Sequence, residues 1–437
     1  MVKAFNVAIH IAILQASFAG TSFLAGLGIS MVTYRLFFHR VRRFPGPLGA
    51  KISRFTVMSD VKKSGMKYHQ ELEKLHRQYG DFVRVAVADY IPRFQGKTNL
   101  FMKRLSEHEG KSINITQWSL FYTFDIMGLV ALSKDYKQLD DSVEHTAIAA
   151  MHSQLDMAAL ITPIPWIMNL LGCIPGLKTP IDLFADYSAS QINERRAEWH
   201  SNTKETPIDI ISWLIKGMDD RDPAAPPTDA ALYDDGKLAI IAGSDTTGAT
   251  LANALYFLTS NPSKYQRLQK EVDEANLNGG DAPPIPYVDA VINETLRLKP
   301  PVPGGMSRVT PPEGLTIDEV FIPGNIVVIS PQHVVQRDER NFDRALEFLP
   351  ERWIDEGKEM HKDERAFFPF SLGHHGCVGK QLAMAQLRLT LQRIASEFDL
   401  EFAPGGSQET FDEGAKDTFT INCPPLDMIF KKRHIPN

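Results

Sequence analysis

Cysteine is scarce in this chain: three among 437 residues, Cys173, Cys377 and Cys423, far apart and odd in number. That excludes a disulfide framework and points to reduced thiols. Basic charge is also short, since 47 Lys and Arg stand against 53 Asp and Glu, a net charge of -6. No basic face is on offer to a phosphate backbone, so a nucleic-acid partner is excluded. Repeats, low-complexity tracts and a long dividing linker are all missing. With 43% hydrophobic and 23% charged residues, the chain is neither disordered nor fibrous and can bury a large core.

Charge is wholly absent from one stretch, the 31 residues between Lys3 and Arg35. A run of that length spans a bilayer as a helix, is too long for the apolar region of a signal peptide, and has no small-residue cleavage site. Arg35, Arg40, Arg42, Arg43, Lys51 and Arg54 follow it, against Lys3 alone before it. This bias leaves the main body in the cytosol. Residues 1–34 are therefore expected to be a membrane anchor in contact with lipid, residues 35–48 a basic hinge stiffened by the prolines of "RFPGPLG", and residues 49–437 a catalytic domain. "ITPIPWIMNLLGCIPG", residues 161–176, is apolar enough to touch the membrane or to be buried.

Most of the remainder has helical periodicity, over 238–260, 263–275, 287–299 and 380–398. Strand signals are few, "DFVRVAV" and "VFIPGNIVVIS" being the main ones. The fold class expected is mainly α with small β-sheets.

One short stretch carries chemistry. "FPFSLGHHGCVGKQLAM", residues 368–384, sets a lone cysteine among glycines directly ahead of a helical pattern. Gly373, Gly376 and Gly379 permit a tight turn and the close approach of a flat ligand. A helix N-terminus beside Cys377 favours the thiolate. Zinc held by His374, His375 and Cys377 is a rival reading, but a structural zinc wants four ligands and no second Cys/His cluster stands at suitable spacing. An inert buried thiol is the plainer one.

Spacing narrows this choice. Phe370, Gly373, His375, Cys377 and Gly379 fit F-x-x-G-x-[R/H]-x-C-x-G, and in this the chain resembles the haem-thiolate loop of the cytochrome P-450 family. The resemblance implies haem b, with Cys377 as the axial iron ligand, Phe370 shielding the sulfur and His375 as donor to a haem propionate. Further motifs follow the family's order. "AGSDTTGAT" puts polar residues in an apolar, buried helix, where Thr246 can bond back to the carbonyl of Ala242. The resemblance gives Asp245 and Thr246 the delivery of protons to bound oxygen. "NETLRLKPP" sets Glu294 and Arg297 one helical turn apart, and "FLPERW" supplies Arg352. By resemblance these three form a buried structural network, and Arg308 binds a propionate.

The resemblance covers residues 44 to about 430 and, with the anchor, is to the eukaryotic microsomal type, fungal around "YGDFVRV" and "FDIMG". It implies a monooxygenase of the endoplasmic reticulum membrane, single-pass with its catalytic domain cytosolic. Electrons would come from an NADPH-cytochrome reductase, and the substrate would be a hydrophobic small molecule of secondary metabolism. Candidate pocket walls are 242–246, 302–306 and 419–421. One departure stands out: after Val85 the chain passes straight into "AVADYIPRFQGKTNLFMKRL". The segment between the first strand and the fourth helix (the B to C helix region) is missing, and with it a W-x-x-x-R pattern. Two other readings stay open, a haem-thiolate isomerase or dehydratase and a catalytically inactive haem-binding protein.

Overall fold

The computed structural model describes residues 91–437 apart from 154, 162–179, 202–206, 223–224, 278–284, 374–375, 406–407 and 434–437. The expected anchor and hinge, "DFVRVAV", residues 162–176 with Cys173, and both histidines of the Cys377 loop lie outside the described residues.

The molecule is organised around two long helices that run against each other. α1 (Ile91–Glu107) leads through strand β1 (Ser112–Asn114) into α2 (Ile115–Leu132), whose first turn is capped by the Asn114 side chain accepting from Gln117 N–H. α2 is apolar enough to cross a membrane by length and composition, yet 83% of its window is buried, so it is a core helix. α3 (Thr146–His152), α4 (Pro180–Ser201) and α5 (Ile210–Asp219) follow, then α6 (Asp229–Ser260), which packs along α2. α6 starts nine residues earlier than its apolar periodicity predicts, because Thr228 caps it by accepting from Ala231 N–H and its first turns are acidic and half-exposed.

α7 (Pro262–Leu277), α8 (Pro286–Leu298) and α9 (Lys380–Glu397) complete the helical layer within two residues of the predicted limits. Proline at the first position of α8 lacks only an N–H that would be unpaired there anyway.

Small antiparallel sheets edge this body. β1 pairs with β9 (Asp427–Lys432), and β9 with β6 (Phe398–Phe402), which leaves α9 directly. β2 (Ser307–Val309) pairs with β5 (Val327–Ile329), and β3 (Leu315–Ile317) with β4 (Val320–Ile322). The stretch read as one strand, "VFIPGNIVVIS", is thus two strands of different sheets, broken at Pro323 and at Asn325, whose φ is 55°. β7 (Lys416–Thr418) and β8 (Thr420–Asn422) form a hairpin. Ile421 N–H donates to Pro301 O over 2.8 Å, which ties the hairpin to the turn after α8.

"FDIMG" is a packing device. Asp125 is fully buried on α2 and accepts from the main chain of Gln138 and Leu139 and from Lys97 Nζ at 3.0 Å. Lys97 also faces Asp135 at 2.6 Å and Asp140 at 3.2 Å, so its ammonium is neutralised by three carboxylates. A Cβ on Gly128 would lie 2.4 Å from Lys134 O, so only glycine lets the chain turn back there.

Candidate active site

The loop before α9 is drawn tight by its own backbone. Cys377 N–H donates to Phe370 O at 2.9 Å, Gly376 N–H to Gly373 O at 3.1 Å, and Gly373 takes φ 90°, a value that favours glycine. Phe370 packs on the main core, with Lys380 Nζ 5.7 Å from its ring centroid. Cys377 and Val378 are exposed beside each other, Val378 by 76%. Gly379 sits under them as the residue ahead of α9, and a Cβ there would lie 3.7 Å from Cys377 Sγ.

The thiol does not stand as the sequence suggests. Although the residue is exposed as a whole, enough protein surrounds its sulfur for desolvation to push the thiol above its ordinary value, outweighing the N–H groups of Gly379 and Lys380 at the helix start that pull it down. A bound cation would displace that proton outright. Cys423, by contrast, is buried, is pushed up to about 11 by burial, and accepts from Asn253 at 3.3 Å.

Arg308, on β2, reaches this loop. Its guanidinium donates to Ser371 Oγ at 3.2 Å and to Ser307 O at 2.9 Å. The loop's approach is fixed from behind, because Gln336 Oε1 accepts from Phe368 N–H at 3.0 Å while Gln332 Nε2 donates to Phe368 O at 3.1 Å.

Gln336 leads to the buried network. Glu294 takes a two-pronged bond from Arg297, Nε and Nη2 each at 2.8 Å, and a third from Arg352 Nε at 3.0 Å. Leu349 N–H and Trp353 Nε1 fill its remaining acceptor sites at 2.8 and 2.9 Å. All three charged side chains are fully buried. Two cations for one carboxylate leaves a surplus, which main-chain oxygens absorb. Arg297 donates to Gln336, Ala345 and Glu347, and Arg352 to Asp343, Arg344 and Met360. Such a group is tolerable in a core only when every donor is used.

On α6 the motif divides between two faces. Thr246 Oγ1 donates to Ala242 O at 2.6 Å, and Ala242 is exposed. Gly243 and Gly248 point instead at α2, where a Cβ would lie 2.6 Å from Met127 Sδ and 2.9 Å from Thr123 Oγ1. The glycines therefore serve the helix seam. Asp245 is buried and turns to a third side, where its Oδ1 lies 3.1 Å from His152 Nε2 on α3. His152 Nδ1 is in turn 2.5 Å from Glu144 Oε1. Neither His152 nor Glu144 belongs to a recognisable motif, and nothing in the sequence singles them out.

An exposed thiol, an exposed apolar neighbour and an arginine at the rim suit a flat, apolar group with an acidic edge that ligates through sulfur. The sequence profile of the cytochrome P-450 family matches residues 86–430.

The chain belongs to the cytochrome P-450 family.

It is 30% identical over 479 aligned positions to a cytochrome P-450 monooxygenase of Fusarium pseudograminearum, covering 94% of this chain and 86% of that protein. A monooxygenase of Penicillium fellutanum is also 30% identical, over 94% of this chain and 84% of its own length. Tryprostatin B 6-hydroxylase of Aspergillus fumigatus is 29% identical over 94% of this chain and 84% of the hydroxylase. A crystal structure of a cytochrome P-450 haem domain superposes with a TM-score of 0.62 at 20% identity, covering 78% of this chain and 72% of that one. The protein is a cytochrome P-450 monooxygenase, and the family implies haem. Alignments of 479 positions exceed the 437 residues of this chain, so these relatives hold internal segments that it lacks.

Proposed function

We propose that this P-450 inserts one atom of dioxygen into a hydrophobic small molecule of secondary metabolism, the other atom leaving as water. Electrons would arrive from NADPH through a reductase at the endoplasmic reticulum membrane, where residues 1–34 would anchor the chain. The observation that carries the reading is the exposed Cys377 thiol at the start of α9, on a loop also bonded by Arg308 through Ser371.

Haem, when bound, supplies the activation of dioxygen. The chain's own residues do the rest. Cys377 holds the group through sulfur, Gly373 and Gly379 shape the loop around it, and Phe370 covers its core side. Arg308 and His375 neutralise the acidic edge. The Glu294, Arg297 and Arg352 network fixes the loop from behind through Gln336. Thr246 presents a hydroxyl on the open face of α6, and Asp245 holds the proton store behind it. A helix that spends a buried acid and a hydroxyl on its open face on proton handling favours oxygen chemistry over isomerisation, which consumes no protons.

The test is purification of the full chain with haem, a reduced carbon monoxide spectrum, and NADPH-driven turnover with a reductase. A thiolate-type Soret band, lost in Cys377→Ala and kept in Cys423→Ser, is the expected result. Retention of that band in Cys377→Ala would remove the ligand assignment. Haem binding with no oxygen-dependent product would leave the isomerase or inactive reading.

A further inference from the structure

Behind the motif face of α6 lies a cavity of about 230 Å³, bounded by Glu144, His152, Asp245, Ala249, Gln117 and Thr420 among others. The three titratable groups in its wall form a continuous line: Glu144 Oε1 to His152 Nδ1 at 2.5 Å, then His152 Nε2 to Asp245 Oδ1 at 3.1 Å. Exposure falls along that line, from 31% for the Glu144 side chain to 20% for His152 and 7% for Asp245. At its inner end Asp245 Oδ2 is buried with no hydrogen-bond partner among the described residues. An acid oxygen left open at the inner end of such a line is a place from which a proton can leave.

We infer that Glu144 and His152 are the proton inlet of this enzyme, carrying protons from solvent to Asp245 and so to the Thr246 side of α6. In the resting state the imidazolium is held between two carboxylates. It gives its Nε2 proton to Asp245 Oδ1, leaving a neutral ring and a neutral acid. The carboxyl group turns to bring that O–H to the open side and releases the proton towards the reaction side, which regenerates the carboxylate, and the ring recharges from solvent entering the cavity while Glu144 holds the cation in place. Among the described residues, the charged groups facing the ring are Glu144, from the chain before α3, and Asp245 of α6, while α2 offers the edge of Phe124 at 5.8 Å. These two partners overcome the opposing effect of burial and raise the imidazole to about 9, so it is charged at neutral pH.

The inference rests on the monooxygenase reading, and the experiment keeps the two apart. The full-length holoenzyme is first shown to have the thiolate carbon monoxide band and oxygen-dependent product; failure there sinks the reading itself. His152→Arg retains a cation against both carboxylates but does not release a proton at working pH, and His152→Gln retains a donor without charge. Both are expected to keep the carbon monoxide band while losing about tenfold or more in product per NADPH, with peroxide rising to match. Independently of turnover, nitrogen-15 histidine spectra should show one ring titrating well above the others, moving towards the ordinary range in Glu144→Gln and Asp245→Asn. Unaltered coupling in His152→Arg would overturn the inlet, since an ion pair alone would then suffice. So would a His152 ring that titrates with the rest.

Discussion

Thr246→Ala separates proton handling from binding. The hydroxyl donates to Ala242 O, within its own helix. Haem content and substrate-induced spectral shifts should therefore persist while product per NADPH falls and peroxide accumulates. Unchanged coupling would take Thr246 out of the mechanism. His152 gives a second prediction, on stability. Its folded pKa of about 9 lies above the ordinary 6.5, so its contribution is complete below about pH 6.5 and is lost as pH rises through 9. Denaturant midpoints should decline across that window in the parent and stay flatter in His152→Gln. A parallel decline in both would show that the imidazolium is not held as described. At this scale the sequence made Cys377, Phe370 and the α6 motif visible, because their spacing is local. The Glu144, His152 and Asp245 line was not legible, since it joins residues 93 positions apart that meet only because α4 packs against both α3 and α6.

At the scale of elements, glycines set how closely segments approach, and their neighbours rank the cost of replacing them. A Cβ on Gly243 meets Met127, a flexible side chain that can move aside. On Gly128 it meets the main-chain oxygen of Lys134 at 2.4 Å together with the Tyr136 ring. Gly128→Ala should therefore cost roughly 1 to 3 kcal/mol in urea unfolding, and Gly243→Ala clearly less. Equal losses would mean that the α2 seam, and not the turn after it, is the rigid part. Helix limits were readable where apolar periodicity is strong, as in α8 and α9. They were not readable where an acidic first turn hides the start of α6, nor where one apolar run, 320–330, serves two sheets. Strand partners over hundreds of residues, such as Ser112 with Ile429, leave no local mark in sequence.

For the whole molecule, the internal shortening matters most. The sequence shows no W-x-x-x-R pattern after Val85, and the relatives align over more positions than this chain contains. On the reading proposed above, Arg308 and His375 would be the side chains left to the propionates. By resemblance the absent pattern contributes to the propionate edge; charged hydrogen bonds are worth roughly 1.5 to 3 kcal/mol each, so a chain short of two of them would be expected to hold haem more weakly by roughly two to four powers of ten. Transfer of haem to apomyoglobin should be correspondingly faster than from a longer relative, and insertion of that relative's segment should slow it. Equal retention would show that another part of this chain has taken over the edge of the cofactor.

The buried network has one more consequence, for how freely the chain can be rewritten. Arg297 and Arg352 hydrogen-bond to the peptide oxygens of residues 336–360, and the ring they meet there is that of Phe342, 5.1 Å from the Arg297 guanidinium. Arg344 and Glu347, whose carbonyls are used, project their own side chains outward and pair with each other. The meander between α8 and the Cys377 loop is thus specified by its path, with most of its letters left open. Glu294, Arg297 and Arg352 hold that path together with the side chains of Gln336 and Trp353, and a sequence drifting elsewhere around them can change its surface without moving the thiol.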